Sequence, residues 1–251
     1  MDKINQENQK VHELSLIEHL AELRQRLIIS LLGIIAGSIL AYMFIEPIFT
    51  LFSQPLMDVL PPDTTLIFSS YPEAFFTYIK LAITVGIFIA SPLVLYEIWA
   101  FVAPGLYPHE KRLALPFVLA STICFVGGGL FGYFVVFPAA FNFLAHFTGN
   151  SFVLLPSVSE YFTLTIRLLI GFGLAFELPV VMVFLALIGV IDANMLKKNR
   201  KYAILIIFII AAIFTPTPDI LNQVLLAGPL LLLYEASIFL VGFVKKNKAE
   251  K

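Results

Sequence analysis

Residues Ser15–Ile45 read SLIEHLAELRQRLIISLLGIIAGSILAYMFI, and their character changes at Leu27. From Leu27 to Ile45 no Asp, Glu, Lys or Arg occurs. A helix needs about 20 apolar residues to cross a bilayer core of about 30 Å, so this run is a spanning candidate. Before it, Glu13, Glu18 and Glu22 stand among Lys10, Arg24 and Arg26. Chains entering a membrane flank their first span with positive charge. Acidic residues at the mouth of the span therefore need a reason.

The rest of the chain extends the membrane reading. Of 251 residues, 59% are hydrophobic and only 13% charged, with a mean hydropathy of +0.93. Soluble domains carry about a quarter charged residues. Net charge is −1, and in a membrane protein placement matters more than the sum. One cysteine, Cys124, excludes an internal disulfide and a cysteine-based metal cluster. The opening 26 residues are polar and charged, so no cleavable signal peptide is expected and the first span should be an uncleaved anchor.

Six spans are predicted: Leu27–Ile45, Ala74–Ile98, Leu113–Phe137, Tyr161–Leu187, Tyr202–Phe214 and Leu221–Val244. Lys3, Lys10, Arg24 and Arg26 precede the first. Lys111 and Arg112 lie between the second and third, and Lys197, Lys198, Arg200 and Lys201 between the fourth and fifth. Lys245, Lys246, Lys248 and Lys251 follow the sixth. Only Lys80 and Arg167 fall within spans, and the other three loops hold no Lys or Arg. The asymmetry predicts both termini and the basic loops in the cytoplasm. Three segments follow: an amphipathic cytoplasmic helix over 1–26, a membrane domain over 27–244 and a basic tail over 245–251. The fold class expected is an all-α integral membrane protein with six transmembrane helices and short fifth and sixth helices. Its outer loops, Glu46–Glu73 and Pro138–Glu160, are rich in aromatic residues and are expected to form a cap on the bilayer surface. The thirteen residues of the fifth span rise only about 20 Å, which implies local thinning of the bilayer.

In the opening helix Leu16, Leu20, Leu23 and Leu27 form one stripe, and Glu18, Glu22 and Arg26 another. On residue chemistry alone the simpler reading is a surface helix with an ordinary i,i+4 pair, worth a few tenths of a kcal/mol. The functional reading is a carboxylate held at the interface to receive a guanidinium from a partner. The loop from Trp99 to Arg112, with Phe101 and Glu110, reads first as an interfacial loop with aromatic anchors. Lys80, Arg167, Glu177 and Glu235 are ionisable residues inside spans and should face a partner, a cavity or another subunit. Snorkelling serves for Lys80 and Arg167. Glu177 is deeper, and Pro179 beside it bends the helix. Gly33-x-x-x-Gly37 and Gly128-x-x-x-Gly132 read as close helix packing. Pro92 kinks or starts a helix.

No G-x-x-x-x-G-K-[ST], H-E-x-x-H or G-x-S-x-G motif occurs, and the four histidines make no ligand set. An enzyme is not expected, nor a cofactor, a metal or a nucleic-acid partner. A proton-coupled secondary transporter using Glu177 and Glu235 is an alternative, although no matched pair of broken helices is evident.

Taken in order, several segments resemble one family, the twin-arginine translocase subunit TatC. They are His19-Leu-Ala-Glu22-Leu-Arg24-Gln-Arg26, Ser53-Gln-Pro55-Leu, Ser91-Pro92, and Leu95-Tyr-Glu-Ile-Trp99-Ala-Phe101. Then follow Pro104-Gly-Leu-Tyr107-Pro-His-Glu110-Lys-Arg112, Tyr133-Phe-Val-Val-Phe-Pro138, Phe176-Glu177-Leu-Pro179 and Thr215-Pro-Thr-Pro-Asp219-Ile-Leu-Asn-Gln223. The resemblance implies a receptor in the bacterial cytoplasmic membrane. Such a receptor binds twin-arginine signal peptides and exports folded proteins on the proton motive force, in an oligomeric complex with TatA- and TatB-type single-span partners. It assigns Glu22 and Glu110 to the two arginines, with Phe101, Arg24 and Arg26 in the same region. It assigns Glu177, Thr215 and Gln223 to partner contacts, and structural roles to Pro55, Pro92, Pro179 and Asp219. Ser157 stands where the family often has an aspartate.

Overall fold

The computed structural model describes residues 2–58, 66–68, 70–102, 114–147, 157–214 and 220–249, with no strand among them. The first helix, α1 (Asp2–Met43), carries the charged segment into the first span without a break. The remaining helices are α2 (Ile45–Met57), α3 (Glu73–Val102), α4 (Ala114–Phe131), α5 (Phe137–Phe147), α6 (Val158–Phe176), α7 (Leu178–Leu187), α8 (Ala193–Lys198), α9 (Arg200–Phe214) and α10 (Ile220–Ala249). Five segments are long and apolar enough to span a membrane: Glu18–Met43, Glu73–Val102, Leu115–Asn142, Val158–Leu187 and Leu226–Phe243. The expected fifth span, α9, has 15 residues and rises about 22 Å. The last helix, expected to be short as well, has 30 residues.

Packing follows a winding order. α1 lies along α3, α3 along α4, α4 along α6, α7 along α10, and α10 along α9. The outermost helices expose large apolar side chains, among them Leu31, Leu32 and Ile39 on α1 and Ile206 and Ile213 on α9. Lipid is the solvent that suits such faces, since helices satisfy every backbone group internally. Fully buried Leu81, Phe137, Val158 and Phe162 mark the main core.

The α1–α3 contact depends on missing side chains. A Cβ on Gly37 would lie 2.7 Å from the Gly86 carbonyl oxygen, and one on Gly86 would lie 2.5 Å from the Ser38 nitrogen. Small residues let backbones approach in this way. Gly128 does the same for α4 against α6, where a Cβ would stand 2.4 Å from the Phe172 oxygen.

Prolines leave carbonyls without their helical N–H, and hydroxyls take them up. Pro55 lies inside α2 and frees the Leu51 carbonyl, which accepts from the Tyr133 hydroxyl at 2.7 Å. The neighbouring Phe52 carbonyl accepts from Tyr161 at 2.6 Å. Pro92 lies inside α3 and frees the Phe88 carbonyl, which accepts from Ser91 Oγ at 2.7 Å. Just before Pro138 the helix widens into a π-turn over Gly132–Val136, a common way of absorbing an irregularity. Helix then continues to Phe147, past the predicted end of the third span at Phe137. Pro179 sits in the first turn of α7, which begins at Leu178 after a break at Glu177.

The segment Glu46–Glu73, expected as a loop, begins as a helix. Ile45 and Leu56 on α2 are buried, and Phe49 and Phe52 pack against the core. Their spacing of four, three and four is a helical stripe, and Pro47 is tolerated in a first turn. Beyond it, the two connections meet. Ile67 bridges Ser157, and the buried Glu73 carboxylate accepts from Ser70 N at 3.1 Å, Ser157 Oγ at 2.9 Å and Ser159 N at 2.7 Å. Ser157 thus supplies a donor to a carboxylate already in place.

Candidate ligand-binding site at the charged end

On α1, His19, Glu22 and Arg26 share one face by their i, i+3 and i+7 spacing, as Glu97 and Phe101 do on α3. The close α1–α3 crossing brings the two faces together. Arg26 donates Nε and Nη2 to Glu22 Oε1 at 3.0 and 2.7 Å. Its Nη1 donates to Glu97 Oε2 at 2.9 Å. Glu97 is buried, whereas the Glu22 side chain is 36% exposed. His19 stacks on Phe101, with ring centroids 4.4 Å apart and an interplanar angle of 18°. Its Nδ1 lies 3.9 Å from Glu22 Oε2.

The α3 end is anchored from behind. Trp99 is buried, donates Nε1 to Ser121 Oγ at 2.9 Å, and packs on Phe117 and Phe184. This holds Glu97 and Phe101 at a fixed angle on the side facing α1. The chemical result is two carboxylates sharing one guanidinium, with a net charge of −1 when His19 is neutral. Glu22 Oε2 retains accepting capacity, since a carboxylate offers about four lone-pair sites.

The structure thus joins Glu22, Arg26 and Phe101. Arg24 is exposed and makes no ion pair among the described residues. Glu110, Lys111, Arg112, Thr215 and Asp219 lie outside the described residues. Gln223 donates its amide to the Phe208 carbonyl at 2.9 Å, tying α10 to α9. Glu177 stands at the α6–α7 break, and its buried Oε1 has no hydrogen-bond partner among the described residues. Glu235 pairs with Arg200 at 2.6 Å, both about half exposed.

The family described as Sec-independent protein translocase protein (TatC) matches residues 18–229. The chain belongs to the TatC family. A Sec-independent protein translocase protein TatC from Desulforapulum autotrophicum is 45% identical over 231 residues, covering 92% of this chain and 85% of that protein. The one from Aquifex aeolicus is 43% identical, covering 94% and 98%, and the one from Escherichia coli K12 is 38% identical, covering 91% and 88%. A solved structure described as the crystal structure of twin arginine translocase receptor TatC superposes with a TM-score of 0.81 at 43% identity, covering 90% of this chain and 99% of that one. This TatC-family chain is accordingly a multi-pass membrane protein of the translocase.

Two members of the charged-end cluster were not singled out from the sequence. Glu97 lies inside the predicted second span, and a lone carboxylate there should have been assigned a partner. His19 carried no such signal, because its stacking on Phe101 exists only once α1 and α3 are apposed.

Proposed function

We propose that this TatC-family chain is the receptor subunit of twin-arginine translocation and binds signal peptides bearing two adjacent arginines at its charged end. The observation that carries the reading is Glu22. It is a partly exposed carboxylate whose present ligand is already a guanidinium, held beside a stacked His19–Phe101 wall. A site shaped for one guanidinium is chemically suited to another. Glu110 serves the second arginine. The charge asymmetry supports a cytoplasmic position for this end and for both termini, with α9 as a sixth, short span in a bacterial cytoplasmic membrane. Glu177, Thr215 and Gln223 serve contacts with TatA- and TatB-type single-span partners, and the complex is oligomeric and driven by the proton motive force. The transporter alternative needs Glu235 as an ion site, but Glu235 is salt-bridged to Arg200 and half exposed.

The test is photocrosslinking of a twin-arginine signal peptide to the protein in membranes. Crosslinks should form with wild type, fall by about ten-fold or more in Glu22→Gln and Glu110→Gln, and be absent with a Lys-Lys peptide. Correctly inserted wild-type protein that never crosslinks overturns the reading.

A further inference from the structure

Arg26 occupies the carboxylate that the incoming arginine is proposed to use. Its Nε/Nη2 edge sits on Glu22 Oε1, while Nη1 already holds Glu97 Oε2. Glu97 is the more deeply set of the two acids, its side chain 10% exposed against 36% for Glu22. Glu22 is therefore open to a ligand from outside, and Glu97 is not. We infer that Arg26 is an internal competitor that sets arginine-over-lysine selectivity, with Glu97 as the seat to which it retreats. The inference rests on the receptor reading above.

An incoming guanidinium meets Glu22 with a fork of parallel N–H donors and replaces both bonds that Arg26 gives up. Arg26 is not stranded, because its Nη1 bond to Glu97 persists and the edge it withdraws can turn to the same acid. The exchange conserves charge pairing and nearly conserves hydrogen bonds. An incoming ammonium has donors enough, but they diverge from one compact, strongly hydrated point charge and cannot present two parallel bonds to one carboxylate. Displacing Arg26 by lysine therefore leaves an unreplaced charged hydrogen bond, and lysine loses the competition with Arg26 for Glu22. Arg26 and Glu97 act as positioning residues: neither need touch the peptide.

The test measures binding of the same signal peptide in Arg-Arg and Lys-Lys forms to the full chain in membranes. In wild type, the Arg-Arg form should bind at least about ten-fold better, the equivalent of one unmatched charged hydrogen bond. Arg26→Gln removes the competitor, so Lys-Lys binding should rise and the ratio should fall to within about three-fold. Glu97→Gln removes the retreat, so Arg26 clings to Glu22 and Arg-Arg binding should fall about ten-fold. The double variant should recover Arg-Arg binding without recovering selectivity. A merely structural role for the pair would lower both peptides together in every variant, and that result overturns the inference. Wild-type selectivity that survives intact in Arg26→Gln also overturns it while leaving the receptor reading standing. Wild type that binds neither peptide fails the receptor reading and the inference with it.

Discussion

The Tyr133 hydroxyl donates to the Leu51 carbonyl at 2.7 Å, and that carbonyl lacks a helical partner because Pro55 sits four residues on. The bond lies in an exposed position, and a net intramolecular hydrogen bond contributes about 0.5–1.5 kcal/mol. Tyr133→Phe should therefore lower stability in detergent by about that amount. Pro55→Ala restores the N–H, so the same tyrosine change in that background should cost less. A double-mutant cycle on thermal unfolding measures the coupling. Equal costs in both backgrounds would show that Tyr133 does not serve the proline-freed carbonyl.

The α1–α3 crossing tolerates no side chain at Gly86. Gly86→Ala places a Cβ within 2.5 Å of the Ser38 backbone nitrogen, so the helices must separate. Overpacking of this kind costs about 1–3 kcal/mol. Separation also pulls Glu97 from Arg26, so peptide binding should fall together with stability. Gly127→Ala serves as the control, since nothing lies within 4 Å of its Cβ position, and it should be neutral or slightly stabilising.

Glu235 and Arg200 form a half-exposed pair, and such pairs contribute at most about 1 kcal/mol. Glu235→Gln should leave export of a folded twin-arginine passenger within about two-fold of wild type. Export abolished by this single change would mean that the carboxylate itself carries the coupling ion.

Orientation is tested by thiol labelling in a Cys124→Ser background. An impermeant maleimide added to intact spheroplasts should label Ser70→Cys and leave Asn194→Cys and Lys246→Cys unlabelled until lysis. With the long helices α3, α4–α5, α6–α7 and α10 each crossing once, residues 194 and 246 share a side only if α9 also crosses. Labelling of Lys246→Cys from outside would remove the sixth span.

Most of the architecture was readable from residue types. Apolar runs of about 20 residues have few places to go but a bilayer, and the clustering of Lys and Arg in alternate loops gives an orientation to test. Gly33-x-x-x-Gly37 announced a close crossing, and Phe-Glu177-Leu-Pro179 announced a broken helix. α2 lies in a segment expected as a loop, and Pro47 and Pro55 disfavour a helix there on local chemistry alone. A first-turn position excuses the one, and a tyrosine hydroxyl from a distant helix satisfies the carbonyl freed by the other.

The candidate site divides along the same line. Sequence alone put Glu22 and Arg26 four apart on a helix, and a bond between them was expected from spacing. It could not put Glu97 there, because Arg26 and Glu97 are 71 residues apart and no periodicity links two helices. That distance closes only because Gly37 and Gly86 let α1 and α3 touch and Trp99 fixes the end of α3. Local chemistry is written in the order of residues, whereas which carboxylate shares a guanidinium is decided by where packed helices cross.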